Sequence, residues 1–207
     1  MKIGIKIIVI MFLAIYTIGI LLSTGCSEYK TFTIDKKDYK CSFEYPRSYE
    51  RDTYSNGDYF NVSLSLPLKG YKHKNPAPFA AKGDIVTMFH TPSVIDVSVW
   101  GRSTSPINFT TPQDYLDDLL RRQESAWESH KLLERSQLLV SGINCEYAFY
   151  TDGVMAMNPD NPIKYYKWII FENNGSLYFI NSVCESDAYE QAIQDFQHVL
   201  STFTVIY

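Results

Sequence analysis

Lys164 to Glu172 reads KYYKWIIFE, Asn173 to Gly175 reads NNG, and Ser176 to Cys184 reads SLYFINSVC. Both flanking runs are rich in aromatic and β-branched residues, which suit a pleated surface. Asn-Gly between such runs supplies positive φ without strain, so the segment predicts a tight β-hairpin. If Phe171 faces Tyr178 across the turn, Cys184 falls opposite Tyr165. An antiparallel hairpin near the end of the chain sets the expectation for everything around it.

Upstream, Gln137 to Thr151 (QLLVSGINCEYAFYT) reads as strand around Ser141-Gly142, making three strands in a row. Before them, Thr111-Pro112-Gln113-Asp114 opens a helix. Thr111 can cap it, Pro112 loses nothing at the first helical position, and Asp114 suits the helix dipole. Tyr115, Leu116, Leu119, Leu120, Gln123, Ala126 and Trp127 form one stripe, and the helix is expected to reach about His130. Downstream, Asp187 to Phe203 carries Tyr189, Ala192, Ile193, Phe196, Val199, Leu200 and Phe203 at the 3, 4 spacing of a buried helical face. Val205-Ile206-Tyr207 then leaves the helix and is read as a short strand or as packing on the sheet.

The first half of the chain is strand-rich. Thr31 to Ile34 lies in a polar stretch read as tether and first strand. Lys40 to Tyr45 alternates and stops at Pro46, which cannot donate to a ladder. Ser55-Asn56-Gly57-Asp58 is a turn, and Tyr59 to Pro67 (YFNVSLSLP) alternates again. Residues 68 to 83 hold two Pro, two Gly and four Lys and read as a loop or insertion. Ile85 to His90 and Val94 to Trp100 follow as strands. In the second, Ile95, Val97 and Val99 form the expected core face; Val94, Asp96, Ser98 and Trp100 take the other. Strands do not alternate with helices as parallel units require, so the fold class is α+β, a mainly antiparallel sheet flanked by helices.

The amino-terminal segment stands apart. Lys2 and Lys6 precede sixteen uncharged residues, Ile7 to Leu22, and then Ser23-Thr24-Gly25-Cys26. A basic start, an apolar run and small residues at a cut site make a secretory signal. The last four residues resemble the lipobox of bacterial lipoproteins, with Ser23 where Leu is usual. That resemblance implies cleavage between Gly25 and Cys26 and diacylglycerol on the Cys26 sulfur. An ordinary signal peptide cut near Gly25 and an uncleaved anchor helix are the alternatives; the run is somewhat shorter than the roughly 20 residues of a membrane span. All three readings export the domain. The expected organisation is residues 1–25 as signal, 26–30 as tether and 31–207 as one globular domain.

Without residues 1–25 the chain keeps 182 of 207 residues, ample for one core. Those 25 residues carry two of the 19 basic and none of the 23 acidic residues, so the net charge moves from −4 to −6. An acidic exported domain does not bind nucleic acid or anionic lipid through a general field. Lipid on Cys26, not charge, would hold it to the extracytoplasmic face of the cell membrane. Acylation of Cys26 leaves Cys41, Cys145 and Cys184, read as buried or idle thiols. With Tyr150 placed opposite Tyr165, Cys145 and Cys184 lie five residues apart along the sheet, about 16 Å. A disulfide needs Cα atoms within about 7 Å.

Cys41-Ser-Phe-Glu-Tyr-Pro-Arg-Ser-Tyr49 near the start and Phe196-Gln-His-Val-Leu-Ser-Thr-Phe203 near the end frame the capped helix and the strand meander. Together they resemble the PsbP-like α/β/α sandwich, over roughly residues 30 to 205. That group includes the extrinsic photosystem II protein and many small bacterial lipoproteins. The resemblance implies a non-catalytic module that binds or stabilises other components, with no catalytic residues to carry over; the 68–83 insertion has no counterpart in it.

No motif for chemistry stands against that. Gly-x-Ser-x-Gly, a P-loop and paired-His or paired-Cys motifs are absent, so no catalytic, cofactor or metal residues are assigned. Cys145 with His130 or His198 is weighed as a thiol pair and read as a core cysteine. Asp114, Asp117, Asp118, Glu124 and Glu128 read as a solvated helix side rather than a cation site. Asp160 in Asn158-Pro-Asp-Asn-Pro162 reads as part of a stiff turn rather than a calcium loop. Tyr166 and Trp168 share a strand face with Ile170, either covered by a helix or open to a partner. The leading expectation is a membrane-tethered, non-enzymatic interaction or ligand-binding module for a protein or small ligand. The alternative is an exported hydrolase or metal-dependent enzyme in which His73, His90, His130 or His198 converge with acids or a thiol.

Overall fold

The computed structural model describes residues 28–67, 92–101, 111–126, 131–152 and 163–206. The signal and Cys26, the 68–83 insertion, the expected strand at 85–90, Trp127 to His130, the 158–162 turn and Tyr207 lie outside these residues.

Strands β1 (Tyr29–Asp35) and β2 (Lys40–Pro46) pair antiparallel, with Tyr29 opposite Pro46. The short β10 (Thr204–Val205) adds to the other side of β2. These three make a small sheet. A seven-stranded antiparallel sheet takes the rest, in the order β3-β4-β5-β9-β8-β7-β6. Its strands are β3 (Glu50–Asn56), β4 (Tyr59–Ser65), β5 (Ser93–Trp100), β6 (Lys131–Val140), β7 (Ile143–Asp152), β8 (Lys164–Asn173) and β9 (Ser176–Glu185). Helix α1 spans Pro112–Ala126; α2 spans Tyr189–Thr202 after a 3₁₀ turn at Ser186–Ala188. The expected α+β class, a mainly antiparallel sheet flanked by helices, is what forms.

The large sheet has two covered faces. On one, Val62, Ile95, Val97, Val99, Ile169, Phe171, Tyr178 and Ile180 meet Phe196, Val199 and Phe203 from the α2 end and Phe43, Tyr45 and Cys41 of the small sheet. Phe171 stacks on Tyr178 at 4.8 Å and meets the edge of Phe203 at 6.0 Å. On the other, Tyr115 and Leu116 of α1 pack on Ala148, Tyr150, Trp168 and Ile170. The face shared by Tyr166, Trp168 and Ile170 is therefore beneath a helix.

Local signals explain most of this. The Asn173–Ser176 pair leaves Asn174-Gly175 as the turn, with φ of 51° and 77°, the two positive values of a type I′ hairpin. Phe171 faces Tyr178 and Tyr165 faces Cys184, as expected. At the start of α1 the Asp114 amide donates to Thr111 Oγ1 (3.1 Å), and the Thr111 hydroxyl donates to Asp114 Oδ2 (2.8 Å).

Two expectations are corrected, and one strand had gone unread. Gln137 to Thr151 is not one strand but a second hairpin, β6 and β7, turning at Ser141-Gly142 with φ of 54° and 77°. Strand β6 begins at Lys131, where a register shift between Leu132 and Glu134 breaks the alternation that would mark it. Strand β3 had no alternating apolar pattern, because all seven of its residues are exposed at the sheet edge. Finally, Tyr150 faces Tyr166 rather than Tyr165. That one-residue slip keeps Tyr150, Tyr166, Trp168 and Ile170 on the α1 side and stacks the two tyrosines at 4.6 Å. It moves Cys145 one residue further from Cys184, and Cys41, Cys145 and Cys184 are all unbridged and buried.

Candidate functional site

The alternation of β4 and β5 places a polar strip on the α1 side of the large sheet. Ser63 faces Asp96, Asp96 faces Asn181, and Asn181 faces Trp168. One step along, Asn61 faces Ser98 and Ser98 faces Phe179. Side chains opposite one another in an antiparallel sheet lie about 5 Å apart, so these groups form two neighbouring polar sets on one strip. Asn61 Nδ2 donates to Ser98 Oγ at 2.8 Å, and Tyr59 Oη lies 3.5 Å from the same oxygen. Ser63 and Asn181 hydrogen-bond the Asp96 carboxylate.

The strip is dry at its centre: Asp96, Ser98 and Asn181 are 5 %, 4 % and 8 % exposed. Tyr59, Asn61 and Ser63, on β4, are half-buried and form its approach. Burial pushes the Asp96 carboxyl up to about 6, against the opposing pull of the Ser63 and Asn181 hydrogen bonds. Among the described residues Asp96 forms no ion pair and the buried Asn181 Oδ1 accepts no hydrogen bond. Burial likewise raises the Tyr59 hydroxyl, whose Ser98 bond opposes it.

Aromatic rings border the strip. Trp100 lies 5.1 Å from Tyr59, 6.1 Å from Tyr115 and 6.3 Å from Phe179. Phe179 lies 6.0 Å from Trp168. The sequence assigned Asp96 and Ser98 to the non-core face of their strand and stopped there. The signal was present: β4 puts Asn61 and Ser63 on the same face as Asp96 and Ser98 once the strands pair. Pairing itself, and Asn181 two strands from Ser63, were not legible from any single strand.

The residues singled out earlier fall elsewhere. Cys145 is buried, its thiol 3.2 Å from the Ile143 carbonyl oxygen. His198 instead faces Glu44, Nε2 to Oε2 3.0 Å, and stacks on Tyr29 with ring centroids 3.5 Å apart. The Cys145–His198 pair is thus not assembled. His73, His90 and His130 lie outside the described residues, as do Glu128 and Asp160. Burial pushes Cys41 and Cys145 up to about 12 and Cys184 up to about 11. At neutral pH they are thiols, not the thiolates that nucleophilic or metal chemistry needs.

The acidic side of α1 is not simply solvated. Asp117 pairs with Arg135 of β6 at 2.5 Å, and Asp118 pairs with Arg121 and with Arg122, the latter at 2.6 Å. Burial raises Asp118, but the two guanidiniums outweigh it and hold the carboxyl below the usual range. Asp114 is spent on the helix cap. Among the described residues, no three His, Cys, Asp or Glu side chains gather as a metal set.

No known family profile matches the chain, and no curated protein matches it in sequence. Solved structures do. The PsbP protein of the cyanobacterium Synechocystis sp. PCC 6803, CyanoP, overlays with a TM-score of 0.52 at 15 % identity, covering 88 % of this chain and 95 % of that one. Mog1p, a Ran-binding protein of Saccharomyces cerevisiae, gives 0.49 at 8 % identity, covering 84 % and 94 %. LpqN of Mycobacterium tuberculosis, a protein involved in cell envelope biogenesis, gives 0.45 at 7 % identity, covering 87 % and 93 %. The first of these overlays shows that this chain has the PsbP-like fold.

Proposed function

We propose that this protein is an exported lipoprotein, held by acyl chains on Cys26 to the extracytoplasmic face of a membrane, and that its domain is a non-catalytic ligand-binding or interaction module. The observation that carries the second half is the polar strip. It gathers a buried carboxylate, an amide and hydroxyls under aromatic rings, and supplies no nucleophile–base pair. Apolar walls with a few convergent polar groups are the make of sites that fix a ligand's orientation. Among the described residues, the thiols are neutral and His198 is occupied by Glu44 and Tyr29.

For the tether, support comes from Lys2, Lys6, the uncharged run and Gly25-Cys26. No described helix is long and apolar enough to cross a membrane. Mass spectrometry of the native protein tests this reading. A mature chain that begins at an acylated Cys26 is expected; retention of residues 1–25, or an unmodified terminus, overturns it. For the module, cross-linking in intact cells followed by affinity capture should retrieve a specific partner or ligand. That capture should weaken when Asn61, Ser63 and Asn181 are replaced together by Ala.

A further inference from the structure

We propose that the polar strip takes the ammonium group of an organic amine whose apolar body lies along the rings of Trp100 and Phe179. This deepens the reading of the domain as a binding module and rests on it.

Three observations converge. The first is a charge without a partner. A buried carboxylate is ordinarily neutralised by a cation or by a full set of donors. Among the described residues Asp96 has two donors, Ser63 and Asn181, and no cation. The second is the Asn181 carbonyl oxygen, buried and accepting nothing, on the residue directly across from Asp96. Two neighbouring acceptors, one of them anionic, call for a cationic donor with more than one N–H. An ammonium has three N–H bonds and one positive charge.

The third is the border of rings. Trp168 faces Asn181 across the sheet, Phe179 lies two residues along β9 from it, and Trp100 and Tyr115 stand about 6 Å from Phe179. Aromatic faces attract cations and accept aliphatic or aromatic bodies equally well, and the attraction strengthens where water is excluded. A divalent metal fits less well, since one carboxylate and neutral oxygens offer a single charge.

The test uses the full chain and 2-phenylethylammonium as probe, read by indole fluorescence and by isothermal titration. Saturable binding is expected, with 2-phenylethanol, its uncharged counterpart, weaker by about 10- to 100-fold, the worth of a charged hydrogen bond. Asp96→Asn should weaken the ammonium by a similar factor and leave the alcohol unchanged. Asn181→Leu, which removes the open acceptor, should weaken the ammonium by about tenfold and serves as the second variant should Asp96→Asn fail to fold. The proposal is overturned if the alcohol binds as well as the amine, if Asp96→Asn binds the amine unchanged, if the probe does not bind at all, or if calcium chloride saturates the site in its place. Any of these results leaves the cellular capture experiment to decide the module reading separately.

Discussion

Strand β5 has two sides that are equally dry and chemically opposite. Ile95, Val97 and Val99 lock into the main core between the large sheet and the α2 side. Val94, Asp96 and Ser98 are also buried, yet two of the three are polar. The first side is explained by burial alone, since each apolar group removed from water stabilises the fold. The second side costs free energy to bury, and its hydrogen bonds recover only part of that cost. A fold that needed only stability would place aliphatic residues on both sides. The difference makes the apolar side the scaffold and supports the proposal that the polar side is the binding face.

That contrast can be broken by mutation. Phe171 is fully buried against Tyr178 and Phe203 on the scaffold side, so Phe171→Ala should lower unfolding free energy by about 3–5 kcal/mol, read from urea midpoints. The polar side should respond with the opposite sign. Asp96 has a folded pKa near 6, above the ordinary 3.8, so the folded chain holds that proton more tightly than the unfolded one. Stability from this group is therefore greatest at low pH, falls as pH rises from about 4 to about 6, and stays lower above that. The fall is on the order of 2–3 kcal/mol, given 1.36 kcal/mol per pH unit. Asp96→Asn should abolish it, making the variant more stable than the parent at pH 7.5 and similar near pH 4. Equal destabilisation at both pH values would show that Asp96 belongs to the scaffold after all.

Smaller changes sharpen the picture around α1, which covers part of the polar side. Thr111→Ala removes the cap of that helix and should cost about 1 kcal/mol, with loss of helical circular dichroism at lower urea. The Asp117–Arg135 pair fastens α1 to the edge strand β6 but is partly exposed. A double-mutant cycle should return a coupling of about 0–1 kcal/mol that shrinks as salt rises.

The hairpin at Asn174-Gly175 was legible because two adjacent residues fix its turn and the turn fixes its register. The capped helix and the amphipathic terminal helix were legible for a similar reason, as each carries its own boundary and period. The register between β7 and β8 was not legible. No tight turn joins those strands, and what selects the pairing is that Tyr150 and Tyr166 both belong beneath α1. Strand β3 and the first part of β6 escaped notice at the two sheet edges, where exposure and a bulge erase the alternation that betrays an interior strand.

By itself the sequence determined the class of fold and which residues of β5 share a face, since these depend on near neighbours along the chain; the proposed export signal and acylated Cys26 rest on the sequence alone. Only the tertiary structure decided that both faces of β5 are covered, and that Asn61, Ser63, Asp96, Ser98 and Asn181 line one strip. Burial and cross-strand contact belong to no single strand: they arise when elements distant in sequence close over one another.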